Sequence, residues 1–165
     1  VKTPDRNTYP DLPKDFTYMQ VSAGTNFSLA VSSDGNAYAW GWNYNGRLGD
    51  GTIHSQITPV RVKTPDRNTY PDLPKDFTYL QVSAGGDHSL AVGSDGYAYA
   101  WGCNYYGNLG NNTASGTGDT NPVPKRVRDP ASPKDKSKGQ QATQVSAGYH
   151  LSLAVGSDGN AYAWG

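Results

Sequence analysis

A chain of 165 residues fits one domain, and its 14 basic side chains balance 14 acidic ones, every one of them aspartate. Zero net charge gives no electrostatic footprint for a polyanion. Twenty glycines and 11 prolines, with a single methionine and no glutamate, argue against long helices. No run of 18 apolar residues is present to span a bilayer, and the single Cys103 excludes an internal disulfide.

The chain opens on Val1–Gln20, which returns as Val62–Gln81 with only Met19 exchanged for Leu80. It therefore reads as beginning inside a repeat, with its natural start expected upstream of Val1. Gln20–Gly24 alternates as a strand, and Thr25-Asn26 makes a turn. In Phe27–Val31 the large residues fall at every second position, the period of a strand. Asp34-Gly35 then supplies a hairpin turn before Ala37–Trp40. Bulky residues on one side of this hairpin and alanines on the other predict a sheet covered on both faces, as between radially packed blades. Trp42–Thr52 is a glycine-punctuated loop, and Thr58–Val62 a fourth strand. Pro59 places that strand at a sheet edge, with its counterpart assigned to Asn121-Pro122-Val123.

The stretch Val21–Gly41 recurs at Val82–Gly102 and at Val145–Gly165. The predicted fold is all-β, a β-propeller segment of four-stranded antiparallel blades with two complete repeats and partial ones at both ends. Its divisions are 1–20, 21–81, 82–144 and 145–165. Closure then requires further repeats or self-association. The links between repeats are irregular. Lys63–Asp76 holds Pro65, Pro71 and Pro74, and Pro124–Gln141 carries Lys125, Arg126, Arg128, Lys134, Lys136 and Lys138 against Asp129 and Asp135. Such a loop could touch an anion, but the neutral chain favours a solvated loop and gives nucleic-acid binding no wider support.

Internal comparison weighs the residues that could carry chemistry. Phe27 and Leu151 occupy the slot of His88, which reads as packing. His150 aligns with Asp87 and Asn26 in a turn, and His54 lies in a loop with no repeated partner. Asp34, Asp95 and Asp158 each sit in a separate copy. That suits a turn carboxylate bonded to local backbone better than a calcium site, which needs about 6–8 converging oxygens. No nucleophile elbow, phosphate loop, paired cysteines or zinc helix motif occurs, so the reading is not an enzyme, with no metal and no cofactor.

Trp40, Trp101 and Trp164 recur in one slot as blade core, whereas Trp42 corresponds to Cys103. The two complete units differ at ten of 32 positions, 25–27, 32, 36, 42, 45, 47, 50 and 51, nearly all in turns and loops. A common scaffold with varied loops is how rigid repeat proteins hold partners. Two groups of candidate binding residues follow. One is the turn after each Ala-Gly: Thr25, Asn26, Gly86, Asp87, Tyr149 and His150. The other is the loop after Trp-Gly: Trp42, Tyr44, Asn45, Arg47, Tyr105, Tyr106 and Asn108. The expected partner is another protein.

Quoted whole, V-S-A-G-G-D-H-S-L-A-V-G-S-D-G-Y-A-Y-A-W-G-C-N-Y-Y-G-N-L-G (Val82–Gly110) resembles the regulator of chromosome condensation repeat. The likeness covers both complete repeats and the partial third. It departs at Arg47 and Asn108, where the family pattern has glutamine, and its histidine survives only as His88. The resemblance implies a β-propeller, commonly seven-bladed with four-stranded blades. It implies roles in several classes: guanine-nucleotide exchange on Ran with chromatin binding, inhibition of a secreted enzyme such as β-lactamase, or a bacterial surface or secreted repeat protein. Near-identical links without glutamate lean toward the last, an extracellular or cell-surface setting.

Overall fold

The computed structural model describes residues 1–114, 120–131 and 139–165. Strands β1 (Tyr18–Ala23), β2 (Phe27–Ser32), β3 (Ala37–Gly41) and β4 (Gln56–Arg61) form one antiparallel sheet in chain order. β5 (Tyr79–Ala84), β6 (His88–Gly93), β7 (Ala98–Gly102) and the two-residue β8 (Lys125–Arg126) form the second, and β9 (Gln144–Ala147), β10 (Ser152–Val155) and β11 (Ala161–Trp164) the third. No helix occurs among the described residues, and none is long and apolar enough to cross a membrane. The first two sheets are four-stranded blades of a propeller segment, and the third has three strands.

Each hairpin closes as the Asp-Gly pair predicts. The Gly35 N–H donates to the Ser32 carbonyl at 3.0 Å and the Ser32 N–H to the Asn36 carbonyl at 3.1 Å. Gly35, Gly96 and Gly159 hold φ of 76°, 80° and 81°, a type I turn completed by a left-handed glycine. The distribution of bulk differs from expectation. Leu29 pairs with Ala39 and Tyr38 with Ala30, so each large residue faces a small one across the ladder and both kinds share each face. Phe27, Leu29, Val31, Ala37 and Ala39 face the second sheet, where Val82, Ala91, Tyr99 and Trp101 meet them in one buried cluster. Leu90, Val92, Ala98 and Ala100 meet Val145, Ala154 and Trp164 in the next.

Side chains lock each sheet to the one after it. The Gln20 amide donates to the Val82 carbonyl at 2.7 Å and accepts the Val82 N–H at 2.8 Å, while Ser22 Oγ accepts the Ala84 N–H at 3.0 Å. Gln81 does the same to Val145 at 3.1 and 2.9 Å, and Ser83 accepts the Ala147 N–H at 2.9 Å.

The fourth strand of the second sheet is a correction. Tyr38 pairs with Arg61 and Tyr99 with Arg126, so Pro124, not Pro122, stands where Pro59 does. Asn121 and Pro122 reach back to the first sheet's loop, the Asn121 N–H to the Asn45 carbonyl at 3.3 Å and the Gly51 N–H to the Pro122 carbonyl at 2.9 Å. The basic-loop expectation shrinks accordingly. Arg126 is buried, with Nη1 3.0 Å from Asp72 and Nη2 2.8 Å from Asp95, and it donates to Tyr99 Oη at 3.1 Å. Lys125 is exposed, and Lys134, Lys136 and Lys138 lie outside the described residues.

The links fold back over the sheets. Phe16 meets Tyr38 edge to face at 5.6 Å, and Phe77 meets Tyr99 likewise at 5.5 Å. Arg61 repeats the Arg126 network in a wetter place, its side chain 23% exposed against 1% for Arg126. Replacing Arg126 by Met leaves Asp95 buried without its cation. That should cost about 3–5 kcal/mol, whereas Arg61→Met should cost about 1 kcal/mol. Urea unfolding of the two variants checks this, and equal losses would contradict it.

Candidate functional site

Antiparallel order puts the turn between the first two strands of each sheet at the same end as the loop between the third and fourth strands of the first two sheets, so the two candidate groups lie at one end. Within a sheet they are tied by backbone: the Trp42 N–H donates to the Asn26 carbonyl at 2.8 Å, and the Cys103 N–H to the Asp87 carbonyl at 3.0 Å. Between sheets, the Thr25 N–H donates to the Gly85 carbonyl and the Gly86 N–H to the Gly148 carbonyl, both at 3.2 Å. These bonds require the turns to approach closely. A Cβ on Gly24 would lie 2.5 Å from the Gly85 carbonyl, and one on Gly85 2.5 Å from that of Gly148.

The row of turns carries a band of rings. Tyr105 and Tyr106 meet at 4.6 Å between centroids, Tyr106 and His150 at 4.5 Å, and Tyr149 and His150 at 4.4 Å. Tyr149 covers Gly86, whose carbonyl accepts Arg47 Nη1 at 3.1 Å, and the Arg47 guanidinium lies 5.6 Å from the Trp42 ring. Trp42 is 52% exposed and Tyr149 65%, and Tyr44, Tyr105, Tyr106, Thr25 and Asn26 are also exposed. Asn45 and Asp87 are half-buried. Across the second junction Asp87 Oδ1 and His150 Nδ1 stand 4.0 Å apart.

Three candidates do not belong to this surface, because Arg47, Asn108 and Gly86 are buried. Position 47 and its counterpart 108 point into the junction between sheets. The Arg47 carbonyl accepts Trp101 Nε1 at 2.9 Å and Ser89 Oγ at 2.7 Å. The Asn108 carbonyl accepts Trp164 Nε1 at 2.9 Å and Ser152 Oγ at 2.8 Å. The side chains then fill what remains. Arg47 lies between Phe27, at 5.7 Å, and Trp42, and burial lowers its pKa from the usual guanidinium value. Asn108 instead faces His88, with Nδ2 3.5 Å from Nδ1. Differences at 27, 42 and 47 are thus one exchange at one junction rather than three independent changes in loops. Their contact was hidden from sequence because it crosses between strands and loop.

His88 sits at the second junction, fully buried, as a packing role requires. Because Ser152 gives its hydroxyl proton to the Asn108 carbonyl, it receives the His88 Nε2–H at 2.9 Å, which fixes the neutral tautomer. Trp101 is fully buried and Trp164 packs in the second cluster, while Trp40 is half-buried beside Tyr18. No cluster of three or more His, Cys or Asp side chains that could hold a metal occurs among the described residues.

Antiparallel four-stranded sheets stacked through tryptophan and glutamine locks, with loops gathered on one end, define a repeat of the propeller class. The regulator of chromosome condensation (RCC1) repeat matches residues 34–92 and 95–155, and a second form of it matches 20–47 and 80–108. The chain belongs to the RCC1 repeat family. It is 31% identical over 145 residues to the ultraviolet-B receptor UVR8 of Arabidopsis thaliana, covering 88% of this chain and 28% of the receptor. It is 29% identical over 149 residues to human E3 ubiquitin-protein ligase HERC2, covering 89% of this chain and 3% of the ligase. Among solved structures, human WBSCR16 superposes with a TM-score of 0.73 at 25% identity, over 93% of this chain and 34% of that one. Prp20p of Saccharomyces cerevisiae superposes with a TM-score of 0.63 at 22% identity, over 90% and 32%, a likeness of fold. The chain spans less than a third of the two sequence relatives' length.

Burial pushes the His88 pKa down to about 4 from its ordinary 6.5. Between those values the unfolded chain binds a proton that the folded chain does not, so stability rises with pH through that window. Stability from this group is complete above pH 6.5 and is lost as the pH falls toward 4. His88→Phe, the residue of the first sheet, should flatten this part of a denaturation profile measured from pH 4 to 7. An unchanged slope would contradict the assignment.

Proposed function

We propose that the chain is a non-enzymatic protein-binding module whose partner sits on the loop end of the sheets. The observation that carries this reading is the exposed aromatic set Trp42, Tyr44, Tyr105, Tyr106 and Tyr149 on one end of three locked sheets. Aromatic side chains bury large area at small entropic cost and dominate interface energetics. Thr25, Asn26 and Asn45 surround the rings with amides and hydroxyls, and Asp87 lies beside His150. A surface of that composition suits protein contact, and among its described residues there is no cluster of exposed cations such as a phosphate backbone demands.

The relatives lend support by analogy. The solved Prp20p work concerns its binding to Gsp1p and histones, and another structure holds yeast Prp20 bound to Kap60. Exchange on a Ran-type GTPase and enzyme inhibition remain narrower roles than the exposed residues support. An aromatic beside the Ala-Gly pair, the inhibitor feature, is supplied here by Tyr149 alone. A bacterial surface or secreted protein is the proposed setting, supported by near-identical links and an acid set made wholly of aspartate.

Comparative capture with three variants tests the placement. A partner held by the wild type should be lost with Trp42→Ala and with Tyr149→Ala, each costing about 2 kcal/mol or more of binding. Ser33→Arg, at a hairpin turn of the opposite end, should retain it. Because the Trp42 ring also covers the Arg47 guanidinium, Trp42→Ala should lower stability by about 1 kcal/mol. Lost stability with affinity untouched would remove this surface from the account.

A further inference from the structure

Charge is divided unevenly over each repeat. Of the 14 basic side chains, 13 fall in the links and fourth strands, and Arg47 alone is carried by the loop end. That guanidinium is buried and already committed. Nη1 donates to the Gly86 carbonyl and Nη2 to Asn45 Oδ1, both at 3.1 Å, over the rings of Phe27 and Trp42. Nothing from the chain does this at the second junction. Position 108 is asparagine, its Oδ1 taken by the Tyr106 N–H at 3.1 Å and its amide turned to His88. Nearby, the buried Asp87 Oδ1 and His150 Nδ1 face each other at 4.0 Å, too far to bond, and neither has a hydrogen-bond partner. The Asp87 side chain as a whole is 25% exposed. Tyr106, itself half exposed, lies against the His150 ring at 4.5 Å. Both walls of this place, the second and third sheets, belong to the chain.

We propose that the protein held on the loop end presents an arginine side chain to the second junction, its guanidinium lying on the Tyr106 ring and bonding the Asp87 carboxylate. The proposal rests on the protein-binding reading above and adds the chemistry of the partner. The mode is the one the chain uses on itself at the first junction, where ring faces and oxygen acceptors hold Arg47. A guanidinium is planar, so it stacks on a ring and donates in its own plane at once, which a compact ammonium does not. Charge complementarity points the same way. The described residues here offer a carboxylate and tyrosine faces, and in the sequence no lysine or arginine occurs between Lys75 and Lys125. An apolar or acidic partner would cover the Asp87 carboxylate without a counter-charge, a costly burial.

Nuclear magnetic resonance titration of the 165-residue chain tests this with two probes. One is acetyl-Gly-Arg-Gly-amide, the other the same peptide with citrulline, which keeps the planar shape and loses the charge. The arginine peptide should shift the amide signals of Asp87, Tyr106 and His150 at millimolar concentration. The citrulline peptide should bind at least about fivefold more weakly. Asp87→Asn and Tyr106→Leu should each weaken the arginine peptide about fivefold. Asp15→Asn, at an exposed carboxylate of the first link, should leave its affinity unchanged. Equal binding of the two peptides would overturn the arginine assignment and leave the protein-binding surface standing. Full affinity in either site variant, or an equal loss in Asp15→Asn, would overturn it as well. If neither peptide moves those signals, the proposal fails, whatever the capture experiment with Trp42→Ala returns.

Discussion

An innermost strand that pairs on one side alone leaves a row of backbone donors and acceptors facing the next sheet, and something must satisfy them. In this chain glutamine and serine side chains do so. Gln20 and Gln81 each form a two-point amide contact with a valine backbone in the following sheet, and Ser22 and Ser83 each take one more N–H. The edge is thereby closed without a fifth strand. The apolar cluster between the sheets lies alongside these bonds. Leu29 and Val31 meet Val82, Ala91, Tyr99 and Trp101 at the junction that the Gln20 amide spans.

A second set of bonds ties the loop end to the same junction. The carbonyls of Arg47 and Asn108 each accept an indole N–H and a serine hydroxyl from the following sheet. The loop that carries the exposed rings is therefore anchored from beneath by the neighbouring blade. This separates two tasks within one loop. Buried positions such as 47 and 108 answer to the junction, and exchange together with Phe27 or His88. Exposed positions such as Tyr44, Tyr105 and Tyr106 answer to solvent or to whatever covers them.

The strands, hairpins and blade architecture were legible because local chemistry dictates them: alternation in Phe27–Val31, a left-handed glycine after aspartate, a proline at the edge. The tryptophan slot was legible from recurrence. Three things were not. Arg47 reads as a loop cation, yet it is buried between Phe27 and Trp42 of its own repeat and reaches across the junction to the Gly86 carbonyl, contacts that spacing cannot reveal. Pro122 reads as the counterpart of Pro59, but the longer loop of the second repeat delays the fourth strand to Pro124 and leaves Asn121 and Pro122 bound to the first blade. The aspartates read as plain turn residues. In the folded chain Asp34 and Asp95 also accept a tyrosine hydroxyl and face the arginine of the fourth strand. That the two loop groups share one end could have been read from antiparallel order alone.

Amide hydrogen exchange in a Gln81→Ala variant tests the side-chain lock most directly. The Val145 N–H, which Gln81 accepts at 2.9 Å, should lose its protection, while the Val82 N–H, held by Gln20 at 2.8 Å, keeps it within the same molecule. If Val145 stays as protected as Val82, the sheets are held by apolar packing alone and the glutamine lock is not what sets their register.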